Sequence, residues 1–213
     1  MDITRLPVHV VRRRCFVALP QDPFILPDAS LRFNLDPYNQ HQDDTILEML
    51  SKTGLWSKAS RSELRDTFLG RTTNGIVLDT TNPGFLDQPL ASFAPVSTGQ
   101  MQMLAFTQAL LRVQSSTQNP DPVISQRKPI VLLDEASSSL DLETDIKMQE
   151  MLRDYFTNQG HTTIAISHRL NTLRKELRPG VDTTVWMADG RPEELHGFSE
   201  GILDPDLGGN HSD

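Results

Sequence analysis

The segment Ile130–Asp141, with the sequence IVLLDEASSSLD, decides the fold class of this chain. Its first four residues form an uninterrupted apolar run, which is typical of a strand buried in a parallel sheet. Asp134 and Glu135 follow directly, and ligands of α/β proteins bind beyond the carboxyl ends of such strands. One carboxylate there can hold Mg²⁺ through water while its neighbour polarises an attacking water. Taken alone, the pair is also compatible with two acids that begin a loop.

Strands and helices alternate on both sides of this segment. Residues 15–19, 162–166 and 183–187 predict three further buried strands, and Asp189-Gly190 predicts a turn after the last of them. A helix is predicted over about 142–158. The segment from about Ser30 to Gln118 is predicted to be helical and irregular, and residues 114–129 form a polar connector to Ile130. This alternation predicts an α/β fold with a parallel sheet, interrupted by a helical insertion.

Polar motifs follow two of the other predicted strands. Pro20–Pro23, with the sequence PQDP, comes after the first strand, and Ser167-His168-Arg169 comes after the strand at 162–166. His168 lies where it can reach the same crevice and hydrogen-bond a γ-phosphate or an attacking water. A lone histidine at a strand end is more often only a polar terminus. The other five histidines show no metal-ligand spacing, so no metal site is predicted beyond Mg²⁺ with nucleotide.

The segment Ser97–Gln100 opens a predicted helix. Ser97 and Gln100 have capping-box spacing, and Gly99 allows the backbone to approach a ligand closely. A helix N-terminus offers unpaired N–H groups and the positive end of a dipole, which suit a phosphate. The alternative is a helix cap with no ligand.

Composition excludes several classes of protein. The 213 residues carry a net charge of -8, which argues against a nucleic-acid partner because phosphate backbones attract an excess of Lys and Arg. Cys15 is the only cysteine, so no intramolecular disulfide can form. No apolar stretch approaches the roughly 20 residues that span a bilayer. We therefore expect a chain that is soluble by itself and does not insert into a membrane directly.

These motifs, in this order, resemble those of the ATP-binding-cassette (ABC) ATPase family. The matching segments are Pro20–Pro23 (Q-loop), Val96–Gln100 (signature), Ile130–Glu135 (Walker B), Ser138–Asp141 (D-loop) and His168 (switch histidine). Leu31–Tyr38, with the sequence LRFNLDPY, is similar to the second nucleotide-binding domain of subfamily C, the multidrug-resistance-protein type.

The resemblance implies a partial P-loop NTPase fold, a RecA-like parallel sheet with an inserted helical signature subdomain. It places a partial nucleotide-binding domain at residues 1–200 and a polar tail at 201–213. Within that domain it implies a helical subdomain at about 30–118 and a catalytic core at 12–29 and 119–195.

The resemblance also implies a role for each matching residue. Asp134 would bind Mg²⁺, and Glu135 would act as general base toward water. Gln21 would sense Mg²⁺ and the γ-phosphate and relay its state to a transmembrane domain, and His168 would contact the γ-phosphate. Across a dimer interface, Ser97, Gly99 and Gln100 would reach ATP held by a partner domain, and Asp141 would join the two halves of the interface.

The cofactors implied are ATP and Mg²⁺. The partners implied are a second nucleotide-binding domain and the transmembrane domains of an exporter, which would hold this chain at the cytoplasmic face of a membrane.

The 213 residues depart from the family pattern in one large respect. No G-x-x-x-x-G-K-[ST] Walker A motif occurs, and Gly70 and Gly75 are followed by Ile76, where the motif requires Lys. The P-loop supplies most of the grip on the β- and γ-phosphates, so this chain alone is expected to bind ATP poorly. A strand that the family places beside the one ending at His168 is missing too, which predicts an uncovered apolar edge. Three readings follow: an exporter ATPase domain, a non-hydrolysing remnant that lends its signature motif to a partner, or an inactive fragment.

Overall fold

The computed structural model describes residues 7–55, 84–93, 96–118, 128–167, 177–178 and 180–197. The chain forms two compact units, Met1–His168 and Arg169–Asp213. The subdomain boundaries implied by the family resemblance stay predictions.

A three-stranded parallel sheet organises the first unit. Its strands are β1 (Phe16–Leu19), β2 (Ile130–Asp134) and β3 (Thr163–Ile166), in the order β1-β2-β3. Leu19 pairs with Leu133, and Leu133 pairs with Ala165, so the carboxyl ends of the three strands lie at one edge. The predicted α/β class with a parallel sheet is confirmed.

Five α-helices and two short 3-10 helices, Phe85–Asp87 and Leu90–Ser92, accompany these strands in the described residues. The α-helices are named in chain order. They are α1 (Val8–Val10), which continues as a π-helical turn over Val11–Cys15, α2 (Leu31–Leu35), α3 (Asp43–Lys52), α4 (Thr98–Gln118) and α5 (Leu142–Leu152), which continues as a π-helical turn over Arg153–Thr157. The predicted helix over 142–158 corresponds to α5 and its π-helical turn. Cys15 belongs to the first π-helical turn, so β1 begins one residue later than predicted.

The core lies on one face of the sheet. Alternate residues of two neighbouring strands point into it: Val17 and Leu19 from β1, Val131 and Leu133 from β2. Helix α4 packs against β1 and against α2 and α3, and its Phe106 side chain is fully buried. Burial of this continuous apolar face is the main force that holds α4 on the sheet.

The opposite face of the sheet is open within the described part of the chain. Ile164 and Ile166 of β3 are 53% and 58% exposed, so the prediction of a buried strand at 162–166 was wrong for these side chains. The physical reason is that β3 is the outer strand of the described sheet and turns its isoleucines away from the core. The expected uncovered apolar edge agrees with this arrangement.

The LRFNLDPY segment is held in place by buried polar side chains. Asn34 accepts from the Leu26 N–H at 2.8 Å and donates to the Leu26 carbonyl at 2.9 Å. Asp36 accepts from the His41 N–H at 2.7 Å, and His41 Nε2 lies 2.9 Å from the Leu111 carbonyl of α4. These bonds fasten the chain that follows Gln21 to α2 and to α4.

The second unit contains an antiparallel hairpin. Strand β4 (Thr183–Ala188) pairs with β5 (Arg191–Gly197) across a turn at Asp189-Gly190. Both turn residues have positive φ, 49° and 72°, as a two-residue hairpin turn requires. The predicted strand and turn are confirmed, but the prediction that this strand is buried was wrong: Val185, Trp186 and Met187 are exposed. The described residues of this unit form only a two-stranded hairpin, which gives the strand no covering layer. In the portion of the chain that the structure describes, no helix has both the length and the apolar character needed to cross a bilayer.

A buried histidine gives the first unit a pH-dependent stability. His161 packs edge-on against Phe156, and its Nδ1 lies 2.9 Å from the Pro129 carbonyl. Burial lowers the pKa of His161, and the nearby Lys128 charge lowers it further, against the opposing effect of the Pro129 carbonyl. Folding therefore favours the neutral ring. Its stabilising contribution is present above the unfolded-state pKa of about 6.5 and is lost as the pH falls through the lower folded-state pKa.

We expect the free energy of unfolding to fall between pH 7.5 and pH 5 by more in the wild-type chain than in His161→Gln, whose side chain does not titrate. Urea unfolding at a series of pH values measures both slopes. Equal slopes would show that His161 does not contribute to the pH dependence.

Candidate functional site

Two segments far apart in the sequence meet at the carboxyl edge of the sheet. Gln21 follows β1 and Glu135 follows β2, and the parallel pairing of these strands brings the two side chains together. The Gln21 Nε2 atom donates a hydrogen bond to Glu135 Oε2 at 3.3 Å. The structure therefore joins two of the residues that the sequence predicted for one site.

The backbone of Glu135 has an unusual conformation. Its φ is 46°, in the left-handed region that costs a non-glycine residue on the order of 1–3 kcal/mol. Two hydrogen bonds hold it there: the Glu135 N–H donates to the Ile166 carbonyl at 2.9 Å, and the Ser138 N–H donates to the Glu135 carbonyl at 2.9 Å. This turn ends β2 abruptly and directs the Glu135 side chain toward Gln21.

The oxygen donors at this edge suit a nucleotide-bound Mg²⁺. Asp134 is the last residue of β2 and its side chain is exposed. The second oxygen belongs to the side-chain amide of Gln21, whose nitrogen bonds Glu135. The described residues contain no cluster of three or more His, Cys, Asp or Glu that could hold a metal by themselves. Mg²⁺ in nucleotide sites takes one or two protein oxygens and completes its shell with water and phosphate. The residues present fit that mode of binding.

The predicted capping box at the start of α4 is confirmed. The Gln100 N–H donates to Ser97 Oγ at 3.2 Å, and the Ser97 N–H donates to Gln100 Oε1 at 2.9 Å. Helix α4 consequently begins at Thr98, two residues earlier than Gln100. The cap fixes the direction in which the helix N-terminus points. The contact of this end with ATP stays a prediction.

Gly99 allows α4 to lie against the D-loop of the same chain. A Cβ atom at this position would sit 3.3 Å from the Ser139 carbonyl oxygen and 3.5 Å from a Leu140 methyl group. A side chain would therefore push the two segments apart. The signature and D-loop segments form one continuous surface for this reason.

Asp141 caps a helix of its own chain. It is the N-cap of α5, accepting from the Thr144 N–H at 3.0 Å and from the Thr144 hydroxyl at 2.9 Å. This cap orients the D-loop as it enters α5. The predicted contact of Asp141 across a dimer interface stays a prediction.

Sequence reasoning missed Gln102. Its side chain is only 2% exposed and hydrogen-bonds main-chain atoms of both Gln21 and Ser139, each at 3.2 Å. The only sequence signal is a glutamine between Met101 and Met103 in an otherwise apolar part of the helix. The predicted His168 lies outside the described residues. Of the predicted site residues, the structure places Gln21, Asp134 and Glu135 at the sheet edge and Ser97–Gln100 beside the D-loop, and their roles stay predictions.

Relatives of the chain are named as ABC transporters or multidrug resistance proteins. The ABC transporter atnG of Emericella nidulans is 31% identical over 173 residues, which are 81% of this chain and 9% of that protein. Multidrug resistance protein fer6 of Mycosarcoma maydis is 30% identical over 95% of this chain and 12% of its own length. Human ATP-binding cassette sub-family C member 2 is 31% identical over 92% of this chain and 10% of its own length. The chain thus spans about a tenth of these relatives.

A solved structure shares the fold. A bacterial Atm1-family ABC exporter with ATP bound superposes on 92% of this chain, with a TM-score of 0.56 and 18% sequence identity, over 27% of its own chain. No family model matches the sequence.

Proposed function

Because the chain belongs to the family of ABC transporters, we propose that it is part of a nucleotide-binding domain of an ABC exporter. In this role it couples ATP binding and hydrolysis to the transport of a solute across a membrane. The observation that carries the proposal is the hydrogen bond between Gln21 and Glu135, which assembles the predicted Q-loop and Walker B residues at one edge of the sheet. ATP and Mg²⁺ are the cofactors that such a site takes.

The proposed reaction is the attack of water on the γ-phosphate of ATP. Glu135 accepts the proton of the attacking water, the new P–O bond forms, and the bond to the β-phosphate oxygen breaks, leaving ADP and phosphate. Asp134 and the Gln21 amide oxygen would hold Mg²⁺, which supplies neutralisation of phosphate charge. His168 is proposed to hydrogen-bond the γ-phosphate. The positive φ of Glu135 is proposed to serve this reaction because it directs the carboxylate toward Gln21 at the edge of the sheet.

The signature segment is proposed to contact ATP held by a second nucleotide-binding domain. Ser97 and Gln100 cap the helix, and Gly99 lets the helix N-terminus lie directly against the D-loop. The positive end of the helix dipole then faces phosphate oxygens. Asp141 would lie at the same interface, since the D-loop adjoins Gly99.

A docking surface for the transmembrane domains is proposed in the segment that follows the Q-loop. The exposed apolar side chains of this segment are Phe24, Leu26, Phe33 and Tyr38, and Asn34 holds the Leu26 backbone against α2. Phe24, three residues after Gln21, is 82% exposed. Docking on this surface would hold the chain at the cytoplasmic face of a membrane and would connect the partner's movement to Gln21.

The second candidate function is binding without hydrolysis. The 213 residues contain no Walker A motif, whereas the signature helix is capped and placed against the D-loop. A chain of this kind can lend its signature face to ATP bound by a partner and hydrolyse nothing itself.

Fusion with a P-loop segment tests the proposed function against this alternative. The chain is fused behind the Walker A-bearing segment of human sub-family C member 2, and phosphate release is measured with ATP and Mg²⁺. The proposed function predicts hydrolysis that disappears when Mg²⁺ is chelated. A folded fusion that binds ATP and releases no phosphate would contradict it and would favour the binding role.

The 213-residue chain by itself should show no specific ATP binding below millimolar concentrations. The reason is that the P-loop lysine and backbone N–H groups, which hold the β- and γ-phosphates, do not occur in these residues. Calorimetric titration with ATP and Mg²⁺ measures the affinity. A micromolar dissociation constant would show that another part of the chain grips the phosphates.

A further inference from the structure

Gln102 connects three segments of the site through one buried side chain. It lies in the second turn of α4, five residues after Ser97. Its Nε2 atom donates to the Gln21 carbonyl at 3.2 Å, 81 residues away, and its Oε1 atom accepts from the Ser139 N–H at 3.2 Å, 37 residues away. The Q-loop and the D-loop are thereby both attached to the signature helix.

The chemistry of the side chain matches this double attachment. A neutral amide donates and accepts at once, so one side chain satisfies a carbonyl on one loop and an N–H on another. Glutamate at this position would keep the acceptor and lose the donor, and asparagine is one methylene shorter. Burying a side-chain amide costs free energy unless its donor and its acceptor are both hydrogen-bonded. Both bonds are therefore needed to stabilise Gln102 in its buried position.

The attachment continues to the proposed general base. Gln21 makes two of these bonds: its main-chain carbonyl accepts from Gln102, and its side chain donates to Glu135. Ser139 of the D-loop also has two contacts: its N–H donates to Gln102, and its carbonyl faces Gly99. A movement of α4 is therefore transmitted through one side chain to both loops.

We propose that Gln102 is a positioning residue that fixes the Q-loop and the D-loop relative to the signature helix and so keeps the Gln21 amide on Glu135. This role rests on the proposed function, because it links the surface that meets a partner's ATP to the residue that activates water. Gln102 is only 2% exposed, and its proposed effect on the reaction passes through Gln21.

Nuclear magnetic resonance of the 213-residue chain without nucleotide tests the role. Two signals are followed: hydrogen exchange of the Ser139 amide and the side-chain amide resonance of Gln21. The variants are Gln102→Met, which keeps the side-chain length and loses both bonds, and Gln102→Glu, which keeps only the acceptor. Gln108→Met, on the same helix at a half-buried position, is the matched control.

In Gln102→Met we expect exchange of the Ser139 amide to be about tenfold faster and the Gln21 side-chain resonance to shift. In Gln102→Glu we expect the Ser139 amide to keep its protection while the Gln21 resonance shifts. Gln108→Met should leave both signals unchanged. A Gln102→Met chain with an unmoved Gln21 resonance would overturn the proposal, whether or not Ser139 changed. Because no nucleotide is present, this failure is separate from a failure of the proposed ATPase activity.

Discussion

Replacing Glu135 with Gln is expected to lower ATP hydrolysis at least about 100-fold in the chain fused behind a Walker A segment, while ATP binding is preserved. A positioned general base contributes on the order of 100-fold to 10,000-fold to such a reaction. Glutamine has nearly the same shape as glutamate and can still bond Gln21, but it cannot take the proton of the attacking water. Phosphate release under saturating ATP measures the loss, and calorimetry of the same fusion measures the binding.

Glu143→Gln is the matched control for this experiment. Glu143 is an exposed acid in the first turn of α5, eight residues after Glu135, and the same loss of charge there should leave turnover unchanged. If Glu135→Gln still hydrolysed ATP, Glu135 would be excluded as the general base, and His168 would be the next candidate.

The second large expected effect is a loss of folding stability when a core aromatic ring is removed. Phe106 of α4 is fully buried and meets Phe156 edge to face, with ring centroids 6.3 Å apart. Phe106→Ala removes most of a ring from a packed site, and we expect it to lower the free energy of unfolding by about 3–5 kcal/mol. Urea unfolding of the 213-residue chain measures this change.

Phe33→Ala provides the comparison at an exposed position. Phe33 of α2 is about half exposed, so the same substitution should change the free energy of unfolding by no more than about 0.5 kcal/mol. Equal effects of the two substitutions, or the lack of any cooperative unfolding transition in the wild-type chain, would show that α4 does not form the core described above. The latter result would support the inactive-fragment reading.

The strands could be predicted from local pattern because short apolar runs bounded by polar motifs carry a strong signal. The runs at β1 and β2 were placed within a residue or two. The exposure of Ile164 and Ile166 could not be predicted in the same way. An apolar run indicates that a strand is suited to burial. Whether its side chains are buried depends on which other segments cover each face of the sheet.

The meeting of Gln21 with Glu135 could be predicted from order and spacing, since parallel strands bring their carboxyl ends to one edge. The capping box of Ser97 and Gln100 is local and was readable for that reason. Gln102 was not predictable. Its partners are main-chain atoms 81 and 37 residues away, and only the packing of α4 against two loops brings them within reach of one side chain.

The central claim is that this chain completes an ATP site together with a second nucleotide-binding domain, and its association with such a domain tests that claim most directly. Analytical ultracentrifugation is carried out on the 213-residue chain mixed with an intact nucleotide-binding domain of human sub-family C member 2, with and without millimolar ATP and Mg²⁺. We expect a one-to-one complex that requires ATP and is lost in Gly99→Asp, which crowds Ser139 and adds a negative charge to the helix N-terminus that is proposed to meet the phosphates. Absence of a complex at millimolar ATP, or a complex indifferent to ATP and to Gly99→Asp, would contradict it.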